Sequence, residues 1–134
     1  MSIASYADLL REAAAQPQPQ RLLFTFSQAG LPNDANHSEQ RRFEERQGGT
    51  LTPVMCVDKP LQELSDFEAL VTESQHTRTP WDIVFVSSMS EPVTQPAASK
   101  EVETALNKMV EAIKLGQVQM FLAFNRQGEL LQFH

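Results

Sequence analysis

The stretch Trp81-Asp82-Ile83-Val84-Phe85-Val86-Ser87-Ser88 decides the fold. Four of its residues are adjacent, apolar and either β-branched or aromatic, and prolines lie shortly before and after it at Pro80 and Pro92. A run of this kind is too short for a buried helix and predicts a β-strand. Because the apolar residues do not alternate with polar ones, both faces of the strand should be covered. The stretch therefore predicts a central strand of a sheet.

Four further strands are predicted on either side of this one. Leu22-Leu23-Phe24-Thr25-Phe26 is apolar, as is the segment 51–57, in which Pro53 places the strand start at an edge or a bulge. Near the C-terminal end, the segments 118–124 and 129–133 flank a turn sequence and predict a hairpin. The sheet should therefore contain about five strands.

Three helices with an apolar stripe are predicted between the strands. They start near Ser5, Ser65 and Ser99, residues that can cap a helix N-terminus, and Gly116 is placed to end the third. The segment 36–47 is compatible with a helix but is polar nearly all round. Alternation of helices and strands favours crossover connections, so we expect an α/β fold with a mixed sheet of about five strands, three main helices and a C-terminal hairpin. An α+β two-layer sandwich is the alternative.

Length and charge restrict the class of protein. The chain has 134 residues, which fits one globular domain over 1–134. Its 17 acidic and 11 basic side chains give a net charge of −6, which argues against nucleic acid or an anionic membrane as partner. No apolar run is long enough for a membrane span, the N-terminus lacks the features of a signal peptide, and the single cysteine permits no internal disulfide. We therefore expect a cytoplasmic protein.

At residues 51–59, 81–86 and 109–114 the chain resembles a group of small uncharacterised proteobacterial proteins, some of which carry the label "ribonucleotide reductase subunit alpha". The resemblance implies a compact domain of unknown function. The labelled chemistry needs a thiyl-forming cysteine and a further cysteine pair, whereas this chain contains only Cys56. The label therefore does not fit these residues.

The residues that most often carry chemistry give no catalytic or metal-binding pattern. Cys56 lies between Met55 and Val57, which predicts a buried, slowly reacting thiol, and a nucleophilic or redox thiol is the alternative. The three histidines, His37, His76 and His134, lack the spacing of metal ligands. No nucleotide-binding or nucleophile-elbow motif occurs, so we expect no cofactor, and whether the protein is an enzyme stays open.

Polar residues follow three of the predicted strands and form a candidate ligand site. In partly parallel sheets, ligands bind beyond the carboxyl ends of the strands. If the three strands were parallel neighbours, their polar ends would converge on one rim. The alternative is that these ends are polar only because loops are exposed. The candidate ligand-binding residues are Ser27, Gln28, Asp58, Ser87 and Ser88.

The count of helices against strands predicts a homodimer. Three helices cover one face of a five-stranded sheet well and two faces poorly, and an uncovered apolar patch usually marks an interface. We place the contact on the hairpin, at Phe121, Leu131 and Phe133. The alternative is a monomer whose 87–98 loop and 29–53 region cover the second face. The expected function is a non-catalytic binding or assembly module acting as a homodimer, and the alternative is a small-molecule sensor or enzyme that uses the polar rim.

Overall fold

A computed structural model describes residues 3–30, 50–90 and 99–131 of the chain. The elements in these ranges agree in kind and order with the predicted ones. The strands are β1 (Gln20–Gly30), β2 (Thr50–Pro60), β3 (Ile83–Ser90), β4 (Leu122–Asn125) and β5 (Leu130–Leu131). The helices are α1 (Tyr6–Ala14), α2 (Phe67–Gln75) and α3 (Ser99–Lys114), and a short 3-10 turn covers Leu61–Glu63.

The five strands form one sheet in the order β2-β1-β3-β4-β5, so the predicted α/β fold, with its central strand, three helices and terminal hairpin, is confirmed. The direction of the strands corrects one expectation: all four pairings are antiparallel, and the sheet is not mixed. The helix α2 does connect two strands of the same direction, β2 and β3. However, β1 lies between them and pairs antiparallel with both, so no parallel neighbours arise.

Helices cover both faces of the sheet. Alternate residues of β1 point to opposite faces. On the first face, Phe24 and Phe26 pack in one apolar cluster with residues of α1 and α2. On the second face, Leu23 packs in another cluster with Val102 and Ile113 of α3. The architecture is therefore three-layered, and the two-layer alternative is wrong. The second face, which was expected to lack cover, is covered by α3.

Short sequence patterns predicted the start of α1 and the end of α3 correctly. The Ser5 hydroxyl accepts the Asp8 backbone N–H at 3.1 Å and caps α1 as predicted. The cap of α2 is Asp66, one residue later than expected, and its carboxylate accepts the Ala69 N–H at 2.8 Å. Gly116 ends α3 with a positive φ of 76°, as predicted.

Three strands, β1, β2 and β3, are longer than their apolar runs. The predicted loop at 87–98 is partly wrong, because β3 continues to Ser90, and residues 91–98 lie outside the described ranges. The register of β1 and β2 shifts between Phe26 and Ser27, opposite Pro53, which confirms the predicted bulge.

The polar segment 36–47 also lies outside the described residues. Among the helices of the described ranges, none is both long and apolar enough to cross a membrane.

Candidate functional sites

The predicted polar rim does not form, because β1 runs opposite to β2 and β3. Ser27 and Gln28 lie at one end of the sheet, where Ser27 pairs with Ile83, the first residue of β3. Asp58 and Ser87 lie near the other end and flank Leu23 on the two sides of β1. These two residues are two strand spacings, or about 10 Å, apart. The convergence expected from parallel strands is therefore wrong.

Two of the five rim residues have side-chain partners within the fold. Asp58 accepts a hydrogen bond from Arg21 at 2.6 Å, and the Gln28 side-chain amide donates to the backbone carbonyl of Pro80 at 2.9 Å. Ser27 is fully buried, and its hydroxyl has no hydrogen-bond partner among the described residues. Ser87 is half-buried and Ser88 is exposed. This set has the character of separate structural contacts and does not make one binding site.

Cys56 is exposed, so the expectation that its thiol is buried is wrong. Its neighbours Met55 and Val57 do reach the first apolar cluster, across from Phe26 and Phe24. Cys56 points to the other face, opposite Thr25, and it lies on β2, which is an outermost strand. An apolar run on an edge strand therefore buries only the residues on one face.

Two of the predicted interface residues are packed inside the chain. Phe121 and Leu131 are half-buried and belong to the cluster under α3, where the Phe121 ring contacts Phe85 at a centroid distance of 6.5 Å. Phe133 lies outside the described residues. The exposed large apolar side chains nearby are Leu115, at 70%, and Met120, at 72% exposure. Both belong to the connection between α3 and β4.

A cavity of about 240 Å³ lies between β2 and α2 on the first face of the sheet. Phe26 and Leu70, both buried, line it together with Met55 and Val57. Its remaining lining residues are Cys56, Glu73, Ser74 and Thr77. Behind this wall Trp81 packs edge-on against Phe26 at 5.0 Å and donates its indole N–H to the Ser74 hydroxyl at 2.9 Å. Trp81 therefore supports two residues of the cavity wall, Phe26 and Ser74.

A second, wider cleft of about 820 Å³ lies between the first turns of α1 and α2 and the β4–β5 turn. The Tyr6 ring forms part of its wall and packs edge-on against Phe67 at 5.3 Å. The Tyr6 hydroxyl is buried and has no hydrogen-bond partner in the part of the chain that the structure describes. Burial, followed by the negative charges of Asp66 and Glu73, raises the pKa of Tyr6 to about 12. The charged residues of its wall are Asp66, Glu68 and Arg126, two acidic groups and one basic group.

The histidines and acidic residues do not assemble into a metal centre in the described ranges. His76 caps the C-terminal end of α2 and is exposed, whereas His37 and His134 lie outside those ranges. Within residues 3–30, 50–90 and 99–131, no three histidine, cysteine, aspartate or glutamate side chains form a group that could hold a metal ion. No catalytic assignment follows from these residues.

Comparison with protein-family models, curated proteins and solved structures finds no match. The resemblance to the proteobacterial group therefore stays an expectation. The features of interest are those of the chain itself: the edge strand β2, the exposed apolar connection after α3, and the cavity beneath α2. Sequence reasoning missed the cavity because its walls come from β1, β2 and α2, and only the packing of these elements brings them together.

Proposed function

We propose that the protein is a non-catalytic assembly module that acts as a homodimer, and that two copies pair through their β2 strands. The observation that carries the proposal is the place of β2 in the sheet. It is an outermost strand of 11 residues, and its inner side pairs with β1 from Thr50 to Pro60. Among the described residues no strand pairs with its outer side. An edge of this kind presents backbone donors and acceptors to a further strand.

The charges on β2 support pairing through its second half. Monomeric proteins usually protect a long edge with charged side chains, a proline or a bulge. Here Pro53 and the adjacent bulge protect only the first half. The charged residues of the second half are engaged within the chain, Asp58 with Arg21 at 2.6 Å and Lys59 with Glu73 at 2.7 Å. The segment 55–57, just after the bulge, carries no charge and is the least protected part of the edge.

A second copy of the chain suits this edge because the edge is compatible with itself. When two identical strands pair antiparallel about a two-fold axis, one residue faces its own copy and the others pair symmetrically around it. With Cys56 on the axis, Asp58 of one copy faces Val54 of the other, so like charges are not opposed. The two exposed thiols would then be neighbours. A cross-strand pair has a Cα separation of about 4.5–5.5 Å, which lies within the range of a disulfide.

Light scattering at micromolar concentration tests the proposal. The native chain should have about twice the monomer mass of 15.0 kDa. Cys56→Lys, which places two ammonium groups on the axis, should give monomers, whereas Thr52→Lys, at an exposed position outside the paired segment, should leave the dimer intact. Mild oxidation should trap a covalent dimer of the native chain but not of Cys56→Ser, which should remain a non-covalent dimer. A native mass near 15.0 kDa would overturn the homodimer.

The connection after α3 supports a second location for the contact. Leu115 and Met120 are highly exposed and precede Phe121, which the sequence predicts at the interface. Met120→Asp tests this location, and Gln119→Asp adds the same charge at the neighbouring exposed position as a control. If Met120→Asp alone gives monomers while Cys56→Lys remains dimeric, the contact lies at the connection and the pairing of β2 strands is wrong.

A further inference from the structure

The cavity between β2 and α2 has the composition of a small-molecule site. Ligand pockets are mostly apolar and carry a few polar groups that fix the orientation of the ligand. Phe26, Leu70, Met55 and Val57 give this cavity its apolar wall. Cavities of about 150 Å³ with aliphatic and aromatic walls hold a benzene molecule. At about 240 Å³, this cavity has room for a fused pair of aromatic rings.

The hydrogen bonds of the polar lining residues restrict the chemistry of a ligand. The Ser74 hydroxyl donates to the Val71 carbonyl at 2.6 Å, and the Thr77 hydroxyl donates to the Ser74 carbonyl at 2.7 Å. Each hydroxyl has one hydrogen to donate, so both are already used within the fold. Toward a ligand these two oxygens can only accept.

The third polar lining residue is also an acceptor. One carboxylate oxygen of Glu73 accepts from the Lys59 ammonium at 2.7 Å. A carboxylate has acceptor capacity for several hydrogen bonds, so this ion pair leaves room for a further donor. Its side chain is 54% exposed, which places the carboxylate at the mouth of the cavity.

From these contacts we infer that the cavity binds a small bicyclic aromatic molecule that donates a hydrogen bond through a ring N–H, as indole does. The rings lie between Phe26, Leu70 and Val57, and the N–H points to Glu73. A carboxylated aromatic is disfavoured because Glu73 would face a like charge. The inference does not depend on the homodimer, since all of the lining residues belong to one chain.

Titration calorimetry with two probes of similar shape tests the inference. Indole has a ring N–H, whereas benzofuran has an acceptor oxygen in its place. A hydrogen bond to a charged group is stronger than one between two neutral groups. Indole should therefore bind the native chain at least about tenfold more tightly than benzofuran, the ratio that corresponds to about 1.4 kcal/mol. Saturable indole binding without this preference would overturn the assignment of the N–H to Glu73.

Two variants and one control locate the binding. Glu73→Met should lower the affinity for indole to that for benzofuran, because it removes the carboxylate and keeps the side-chain length. Thr77→Trp should abolish the binding of both probes by filling the mouth of the cavity. Thr72→Trp, at an exposed position of α2 outside the cavity, should bind indole as the native chain does.

Three results would overturn the proposal. They are the absence of saturable indole binding in the native chain, retention of binding in Thr77→Trp, and loss of binding in Thr72→Trp alone. A thermal melt of each variant separates a filled cavity from an unfolded chain. If Thr77→Trp is unfolded, the two probes measured on Glu73→Met, an exposed position, still decide the matter. The oligomeric state of each variant, measured alongside, separates failure of this proposal from failure of the homodimer.

Discussion

Trp81 donates its indole N–H to the hydroxyl of Ser74 at 2.9 Å, and both side chains are buried. The Ser74 hydroxyl in turn donates a hydrogen bond to the Val71 carbonyl at 2.6 Å. This relay of two hydrogen bonds fixes the C-terminal half of α2 to Trp81, which lies two residues before β3. The same contact holds the back of the cavity, because the Trp81 ring packs against Phe26.

Ser74→Ala should destabilise the protein by about 1–3 kcal/mol, because it leaves the buried indole N–H without an acceptor. Urea unfolding followed by fluorescence measures the loss directly, since Trp81 is the single tryptophan of the chain. Ser65→Ala, at an exposed position just before α2, is the control and should change the stability by less than about 0.5 kcal/mol. Equal effects of the two substitutions would show that the relay does not stabilise the fold.

The buried Tyr6 hydroxyl should make the fold sensitive to alkali. Burial raises its pKa from 10.0 to about 12. Below pH 10 the hydroxyl is neutral in the folded and the unfolded chain. As the pH rises from 10 to 12, the unfolded chain loses the Tyr6 proton before the folded chain does. The free energy of unfolding therefore falls over this range.

Tyr6→Phe should remove this alkaline loss of stability. It should also leave the stability at neutral pH unchanged or raise it by about 1 kcal/mol, because the hydroxyl that it deletes is buried without a partner among the described residues. Tyr6 is the single tyrosine, so an absorbance titration reports its ionisation alone. A midpoint near pH 10 in the native chain would contradict the burial of this hydroxyl.

The parts of the fold that the sequence predicts are those set by local patterns. The apolar run at 83–86, the Ser5 cap and the positive φ of Gly116 depend on neighbouring residues, and each is found as predicted. The order and direction of the strands depend on which distant segments pair. Nothing local in Leu22-Leu23-Phe24 indicates that β1 inserts between β2 and β3, and this insertion makes the sheet antiparallel.

The candidate sites were predicted less well, for the same reason. The rim at Ser27, Asp58 and Ser87 required parallel neighbours and is lost once β1 separates the two parallel strands. Burial of Cys56 was expected from its apolar neighbours, but whether a strand lies at an edge is a property of the whole sheet. The Ser74 and Thr77 hydroxyls can only accept from a ligand because both donate within the fold, and those bonds follow from the α2 backbone in three dimensions.

Cys56 should react with a neutral thiol reagent in the native state without prior unfolding, because its side chain is exposed. Monitored in dilute protein, the reaction should be stoichiometric and should not slow when the fold is stabilised. In the proposed homodimer the paired strands cover the thiol, so the rate should fall as the protein concentration rises. Thr52→Cys in a Cys56→Ser background is the control, since position 52 lies outside the paired segment and its rate should not depend on concentration. A rate for Cys56 that equals the rate of global unfolding would contradict its exposure.

The two described glycines at positive φ should differ in how well they tolerate alanine. Both Gly116, at 76°, and Gly128, at 82°, adopt a backbone that costs other residues about 1–2 kcal/mol. A Cβ at position 116 would meet no atom of the described residues within 4 Å, whereas one at position 128 would lie 3.2 Å from the Phe67 ring. That ring packs against Tyr6 and Phe124, so it has little freedom to move away.

Gly116→Ala should therefore cost about 1–2 kcal/mol, the backbone strain alone. Gly128→Ala should cost a further 1–3 kcal/mol or so, because the added methyl group overpacks the contact between the β4–β5 turn and α2. Urea unfolding of the two variants measures the difference, with each serving as the control for the other. In a Phe67→Leu background, Gly128→Ala should cost less stability than it does in the native chain, since the smaller side chain leaves room for the methyl group. Equal losses in the two single variants would show that the β4–β5 turn does not press against Phe67 in solution.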